Sequence, residues 1–353
     1  MKLLVALFFT ITFNFPLAVY AQTQKIWHIG VLYWSATIPG QVAMRKGLEQ
    51  EVENINKAAK LKNEPLIELQ IEVAGDGADG ITRQIGQMQK MIASKPDAII
   101  VQPTDNAALA EPLRAANQAD IPVIAYDQYI SGGKMAAYVT SNNRQAGYLG
   151  GEYIASIFSE GKKLQPLQLV LVEYPLVSST VERLNGFLDA LHNYGINYKI
   201  LKTYRAVEPV EGKKVGESIL RDFPTKNSID VIFTVNDGGG LAVVDVLQRA
   251  GRNEIAIATV DGDPASVKNI REKKLTRIDA AQFCGPLGAT AAATTYAILK
   301  GEKVHSPVLV PTFPITQETL SIYPGWEGPI PTEFQKPWPA KQPIWKNSLP
   351  EGR

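Results

Sequence analysis

The chain has 353 residues, 45 % of them hydrophobic, with 36 Lys and Arg against 35 Asp and Glu for a net charge of +1. That length accommodates two ordinary domains, and so even a charge balance excludes the broad basic footprint of a nucleic-acid or anionic-membrane binder. A single cysteine, Cys284, excludes an internal disulfide and any multi-cysteine metal site. At the N-terminus Lys2 precedes an apolar stretch from Leu3 to Phe13, then Pro16 and "VYA" before Gln22. This pattern predicts a secretory signal peptide over residues 1–21, cleaved after Ala21, because the apolar core is too short to span a bilayer. Periplasmic localisation is the expectation.

Strand-like and helix-period segments then alternate. "IWHIGVLYW" reads as a strand and "PGQVAMRKGLEQEVENINKAAK" as a helix, followed by the strand "LIELQIEVAG", the helix "GITRQIGQMQKMIASK" and the strand "DAIIVQP". The helix "NAALAEPLRAANQA" and the strand "IPVIAYD" complete the first half. The second half repeats the scheme: "LQLVLVEYP", "SSTVERLNGFLDALHNYG", "YKILKTYRA", "EGKKVGESILRDFP", "IDVIFTVND", "GLAVVDVLQRAG", "EIAIATVDGD" and "PASVKNIREKK". Such alternation predicts an α/β protein built from βαβ units, with two doubly wound parallel-sheet lobes.

The halves agree in one chemically informative place. "DAIIVQP" reaches Gln102 and "IPVIAYD" ends on Asp127; "DVIFTVND" reaches Asn236 and "IAIATVDGD" reaches Asp261. Amide and carboxylate are separated by 25 residues in both (102 to 127, 236 to 261). Each half thus places an amide and a carboxylate at the carboxyl ends of consecutive parallel strands, the edge where open α/β sheets bind ligands. The bland alternative for Asp261 is a turn former, and Asp263 before Pro264 reads as a helix cap. Trp34, at the end of the first strand, is a candidate aromatic wall for the cleft, with Tyr33, Tyr129 and Tyr174 in reserve; core packing is its plainer role.

Taken together, "IGVLYWSATIPGQVAMRKGLEQE", "DAIIVQPTDNAALAEPLRAANQADIPVIAYDQ", "VTSNNRQAGYLGGEYIA", "VERLNGF", "IFTVND", "TVDGDP" and "AAQFCGPLGATAAATTYAILKGEKV" resemble a periplasmic sugar-binding protein of the ribose/galactose/xylose type, the type I fold, from about Ile26 to Phe313. The resemblance implies a three-strand hinge with crossings at Ser141 and Asn142, at Gln282 and Phe283, and at Pro311. It divides the chain into lobe one (26–141 plus 283–311), lobe two (142–282), and a third crossing with a Pro/Trp-rich extension (312–353). It implies ligand contacts at Gln102, Asp127, Arg183, Asn236, Asp261 and Gln282, alongside Trp34 and Gln128. A carboxylate accepts from adjacent hydroxyls, an amide gives and takes, and a guanidinium donates several bonds. The sequence departs from the resemblance in carrying Gly40 and Gln41 after Pro39 instead of an aromatic pair, and Gln128 instead of an arginine after Asp127.

The implied activity is capture of a monosaccharide or related polyol by hinge closure, for import through an inner-membrane ABC permease. The alternative is a ligand-sensing receptor for a sensor kinase or chemoreceptor, with a non-sugar ligand among the candidates. No cofactor, metal or nucleic-acid partner is expected, and the protein is expected to be a monomer in solution. Enzymatic readings are weaker. His28, His192 and His305 lack metal-ligand spacing, "EGKKVGES" lacks phosphate-loop spacing, and "NDGGG" reads as a flexible helix start. A glycosidase using Asp127 and Asp261 would need one of them held protonated, and Arg183 and the neighbouring amides are expected to keep both ionised. The lack of an N-terminal helix-turn-helix argues against a repressor of related fold. Beyond Phe313, Trp326, Trp338 and Trp345 stand among repeated prolines, and three tryptophans are costly to leave in water. The segment is expected to lie ordered against the protein surface, with partner docking as its functional reading.

Overall fold

The structure, a computed structural model, describes residues 24–159 and 165–346. The signal-peptide expectation lies outside these residues. The first half runs β1 (Ile26–Tyr33), α1 (Pro39–Lys62), β2 (Leu66–Val73), α2 (Gly77–Ala93), β3 (Ala98–Val101), α3 (Ala110–Gln118), β4 (Val123–Tyr126) and β5 (Ala137–Ser141). The second runs α4 (Asn143–Ser159), β6 (Leu167–Glu173), α5 (Ser178–Asn193), β7 (Tyr198–Arg205), α6 (Pro209–Asp222), β8 (Val231–Thr234), α7 (Asp237–Arg249), β9 (Ala256–Asp261), α8 (Pro264–Arg271) and β10 (Thr276–Ala281). Then follow α9 (Cys284–Leu299), β11 (Val308–Val310), β12 (Phe313–Ile315), β13 (Phe334–Gln335) and β14 (Ile344–Trp345).

Two six-stranded sheets result, β2-β1-β3-β4-β5-β11 and β7-β6-β8-β9-β10-β12. They share one doubly wound order, and in each the last strand comes from the far end of the chain. Helices cover both faces, which is why β3, β4 and β8 read as uninterrupted apolar runs and are wholly buried. The edge strands β2 and β7 are half exposed. Pro39 opens α1 and Asn63 closes it in a left-handed conformation. Asp263 caps α8 by accepting from the Ala265 N–H, as its place before Pro264 predicted.

The chain passes between the sheets three times. Ser141 ends β5 and Asn142 caps the start of α4, where its Oδ1 accepts from the Gln145 N–H at 3.0 Å. Phe283, at φ 49°, turns the chain from β10 into α9, which packs on α1. Pro311 joins β11 of one sheet to β12 of the other.

The segment after β12 packs back on the body of the protein, where the Tyr323 hydroxyl donates to the Gly262 carbonyl at 3.3 Å. Trp345 is fully buried against Phe313, and its Nε1 donates to the Thr312 carbonyl at 2.8 Å. Trp338 packs edge-on to Tyr153 and donates to Glu152 Oε1 at 3.2 Å. Glu152, wholly buried, also accepts from Lys336 Nζ at 2.6 Å and from the Tyr194 hydroxyl at 3.0 Å. Trp326 is half-buried against the first core.

Candidate functional site

The carboxyl ends of β4 and β9 face one another across the gap between the lobes. Asp127 and Asp261 line the same small cavity with Trp34, Gln128, Arg183, Asn236 and Gln282. Its free volume is about 20 Å³, room for little more than a water, so a sugar-sized guest enters only when the lobes part. Direct interlobe bonds hold them shut at the rim: Asn106 N–H to the Leu176 carbonyl (3.0 Å), Ser178 N–H to Asn106 Oδ1 (3.1 Å), Gln128 Nε2 to Ser179 Oγ (3.3 Å) and Gly77 N–H to Glu208 Oε1 (2.9 Å).

Both strand-end aspartates have positive φ, 65° for Asp127 and 134° for Asp261. Residues with a side chain rarely occupy that region, and such strain concentrates at sites held for a purpose. The Asp127 backbone is fixed by its carbonyl, which accepts from Thr140 Oγ1 (2.9 Å) and the Tyr138 hydroxyl (3.2 Å). Its Oδ2 accepts from Gln102 Nε2 (3.0 Å) and Gln128 Nε2 (2.9 Å), while Oδ1 has no partner. Asp261 Oδ1 pairs with Arg183 NH1 at 3.1 Å, and Oδ2 lies 3.4 Å from the Asp237 N–H at the start of α7.

Arg183 is placed by close helix packing. At Gly147, α4 meets α5 so tightly that a Cβ there would lie 1.8 Å from the Arg183 carbonyl oxygen. Its guanidinium is then spread over three acceptors: Asp261, the Val235 carbonyl (2.7 Å) and Asn143 Oδ1 (3.0 Å). Asn143 also takes a bond from Gln282 Nε2 (2.8 Å) and gives bonds to Ser141 O and Thr140 Oγ1 (3.1 and 3.0 Å). One buried amide at the first crossing therefore orients two cavity residues. Sequence reasoning missed it; the only signal was its place directly after Ser141 and Asn142.

Two expectations need correction. Gln102 does not line the cavity: it is wholly buried behind Asp127, with Oε1 accepting from the Trp34 N–H and the Tyr126 hydroxyl (3.4 and 3.3 Å). It positions the carboxylate instead of meeting a guest. Arg183 and the amides also do not hold the acids' pKa values down. Burial pushes the Asp127 carboxyl up, with Arg183, Gln102 and Gln128 opposing, and it pushes Asp261 to about 7 despite Arg183. At Asp261 desolvation outweighs the pairing, and the nearby acids Asp279 and Asp127 push the same way; Asp279 behind the site rises to about 6 and Asp237 rises well above the usual carboxylate range, both mainly through burial.

The other candidates divide. Asn236 lines the cavity, yet its amide already caps α7 by accepting from the Gly239 N–H (3.2 Å) and donates to the Val207 carbonyl (3.0 Å). Trp34 lines the cavity and leans on Tyr174, ring centroids 6.1 Å apart, whereas Tyr33 and Tyr129 stand elsewhere. Gly40, which stands where the resemblance would put an aromatic residue, lies against the site: a Cβ there would be in ordinary contact with Asp261 Oδ2 at 3.6 Å and Cys284 Sγ at 3.4 Å. Cys284 is buried and free, its thiol pushed up by burial. Among the described residues no group of three or more His, Cys, Asp or Glu is placed to hold a metal ion, and no helix is long and apolar enough to cross a membrane.

The periplasmic binding protein domain family matches residues 29–303. The ribose import binding protein RbsB of Escherichia coli K12 is 28 % identical over 232 residues, 65 % of this chain and 75 % of the relative. The same-named protein of Bacillus subtilis 168 is 26 % identical over 292 residues, 82 % and 87 %. Among solved structures, an ABC transporter periplasmic solute binding protein from Actinobacillus succinogenes 130z with bound D-allose is 25 % identical, covers 84 % of this chain and 99 % of its own, and superposes with a TM-score of 0.68. Fold, facing strand ends and family match agree: the chain belongs to the periplasmic binding protein family.

Proposed function

We propose that the protein captures a monosaccharide or closely related polyol between its lobes and delivers it to an inner-membrane ABC permease. The carrying observation is the cavity itself: two carboxylates from equivalent strand ends meet across it, and three buried acceptor oxygens, Asp127 Oδ1, Gln128 Oε1 and Gln282 Oε1, have no partner within the protein. A buried acceptor without a donor is costly, and a hydroxylated guest supplies donors. The names of the relatives, which bind ribose or D-allose, favour import over the sensing alternative.

Lobe one comprises residues 26–141 and 283–311, lobe two residues 142–282, and the crossings at Ser141–Asn142, Phe283 and Pro311 form the hinge. Contacts made on both lobes stabilise the shut form, so the ligand shifts the hinge equilibrium by its differential affinity for that form. Residues 1–21 direct export to the periplasm and are removed. The protein is a binder without turnover: with Asp261 pushed up to about 7, ionisation of the acids no longer argues against a glycosidase, and the argument rests on family membership, since the relatives are binding proteins.

A thermal-shift screen of the mature protein against monosaccharides and polyols tests the reading. At least one compound is expected to raise the melting temperature in proportion to the logarithm of its concentration above Kd. No response across the panel, or Asp-dependent cleavage of aryl glycosides, contradicts it.

A further inference from the structure

We propose that the guest is a hydroxylated compound carrying a protonated nitrogen, an amino sugar or amino polyol, in preference to its neutral counterpart. The inference rests on the reading of the cavity as the ligand site. Three features of that cavity converge on it.

The first is charge. Asp127 and Asp261 line the cavity, but Arg183 is the one cationic side chain there among the described residues, and it is already paired with Asp261. Asp127 is left with two neutral amides on Oδ2 and nothing on Oδ1. Burial pushes both carboxyls upward against the pull of Arg183, and a second cation beside them would offset that cost by favouring their ionised form.

The second is the sign of the unmet hydrogen bonds. All three orphaned atoms are acceptors. The glutamine assignments follow from the network: Gln128 must turn Nε2 to Asp127, and Gln282 must turn Nε2 to Asn143 Oδ1, because Asn143 spends its own Nδ2 on Ser141 O. Each therefore keeps its oxygen free. An ammonium group brings three donors and no acceptor, whereas every hydroxyl brings lone pairs that need donors of their own.

The third is the wall. The Trp34 indole, the best aromatic partner for a cation, lines the same cavity.

Calorimetric titration of the full chain with matched pairs tests the proposal: glucosamine with glucose, galactosamine with galactose, and glucamine with sorbitol. The amine is expected to bind at least tenfold tighter within a pair, and N-acetylation to abolish the advantage. Asp127→Asn, which keeps the shape and removes the unpaired charge, is expected to erase the preference. Gln128→Arg, which brings a cation to the residue that now bonds Asp127 Oδ2 through an amide, is expected to reverse it. Neutral members binding as tightly as their amines overturns the charge assignment and leaves the ligand site standing. Failure of both series to bind overturns both.

Discussion

The cleft and the seam under the C-terminal segment are equally buried and oppositely finished. At the seam, Glu152 is enclosed completely, yet it accepts from Lys336, Trp338 and Tyr194. In the cleft, Asp127 is 3 % exposed and one of its oxygens meets nothing, as do the free oxygens of Gln128 and Gln282. Burial alone therefore does not distinguish a structural carboxylate from a functional one. At the seam the protein completes the bonding of Glu152 itself, whereas in the cavity it leaves acceptor oxygens of Asp127, Gln128 and Gln282 for a guest to complete.

The largest expected effect lies at the seam. Glu152→Leu strands the Lys336 ammonium in a buried site and is expected to cost about 3–5 kcal/mol in denaturant unfolding. The double variant with Lys336→Met should recover much of that, because both charges then leave together. Asp261→Asn comes next and blends the two regions: ligand binding should weaken by about 1.5–3 kcal/mol, while the melting temperature of the ligand-free protein near pH 8 should hold or rise, since burial disfavours the ionised carboxyl despite Arg183. Asn106→Ala touches no guest but removes the rim bond that its Oδ1 accepts from the Ser178 N–H, which favours the shut form. At about 0.5–1.5 kcal/mol per bond, calorimetry should read a roughly two- to tenfold weaker Kd, with scattering from the ligand-free protein showing a more open shape.

The smallest effect is on pH. Asp261 titrates in the ligand-free fold near 7 because of burial, well above its unfolded value of about 3.9. Between those values the folded state binds more protons than the unfolded one, so stability falls as pH rises. The facing groups are the Arg183 guanidinium, the Asp237 N–H, and the acids Asp127 and Asp279, which titrate in the same sense or stay fixed. Melting temperature of the ligand-free protein should therefore be higher near pH 5 than near pH 8, and the slope should flatten when Asp261 is replaced.

The sequence made the fold legible because parallel strands covered on both faces leave long apolar runs, and the equal spacing of Gln102 to Asp127 and Asn236 to Asp261 marked the binding edge. Its limits were set by side-chain direction. Gln102 and Gln128 are both amides near Asp127, and periodicity cannot tell that one turns behind the carboxylate and the other beside it. Asn236 sits where a ligand group was expected and also caps a helix, a double duty visible only in three dimensions. Asn143 had no signature at all, since its importance comes from bonds to Arg183 and Gln282, residues distant in the chain. The ionisation of the acids differs for a related reason: pairing with Arg183 could be anticipated, but not the depth of burial that outweighs it at Asp261.

The most direct test is a pair of thermal melts of Asp127→Asn, without and with the best ligand at a concentration that saturates the wild type. The account predicts a ligand-free melting temperature equal to or above that of the wild type, because an uncompensated buried charge has gone, together with loss of most of the ligand-induced rise. A variant that melts early yet keeps the full ligand response would mean that Asp127 serves the fold, and would contradict the account.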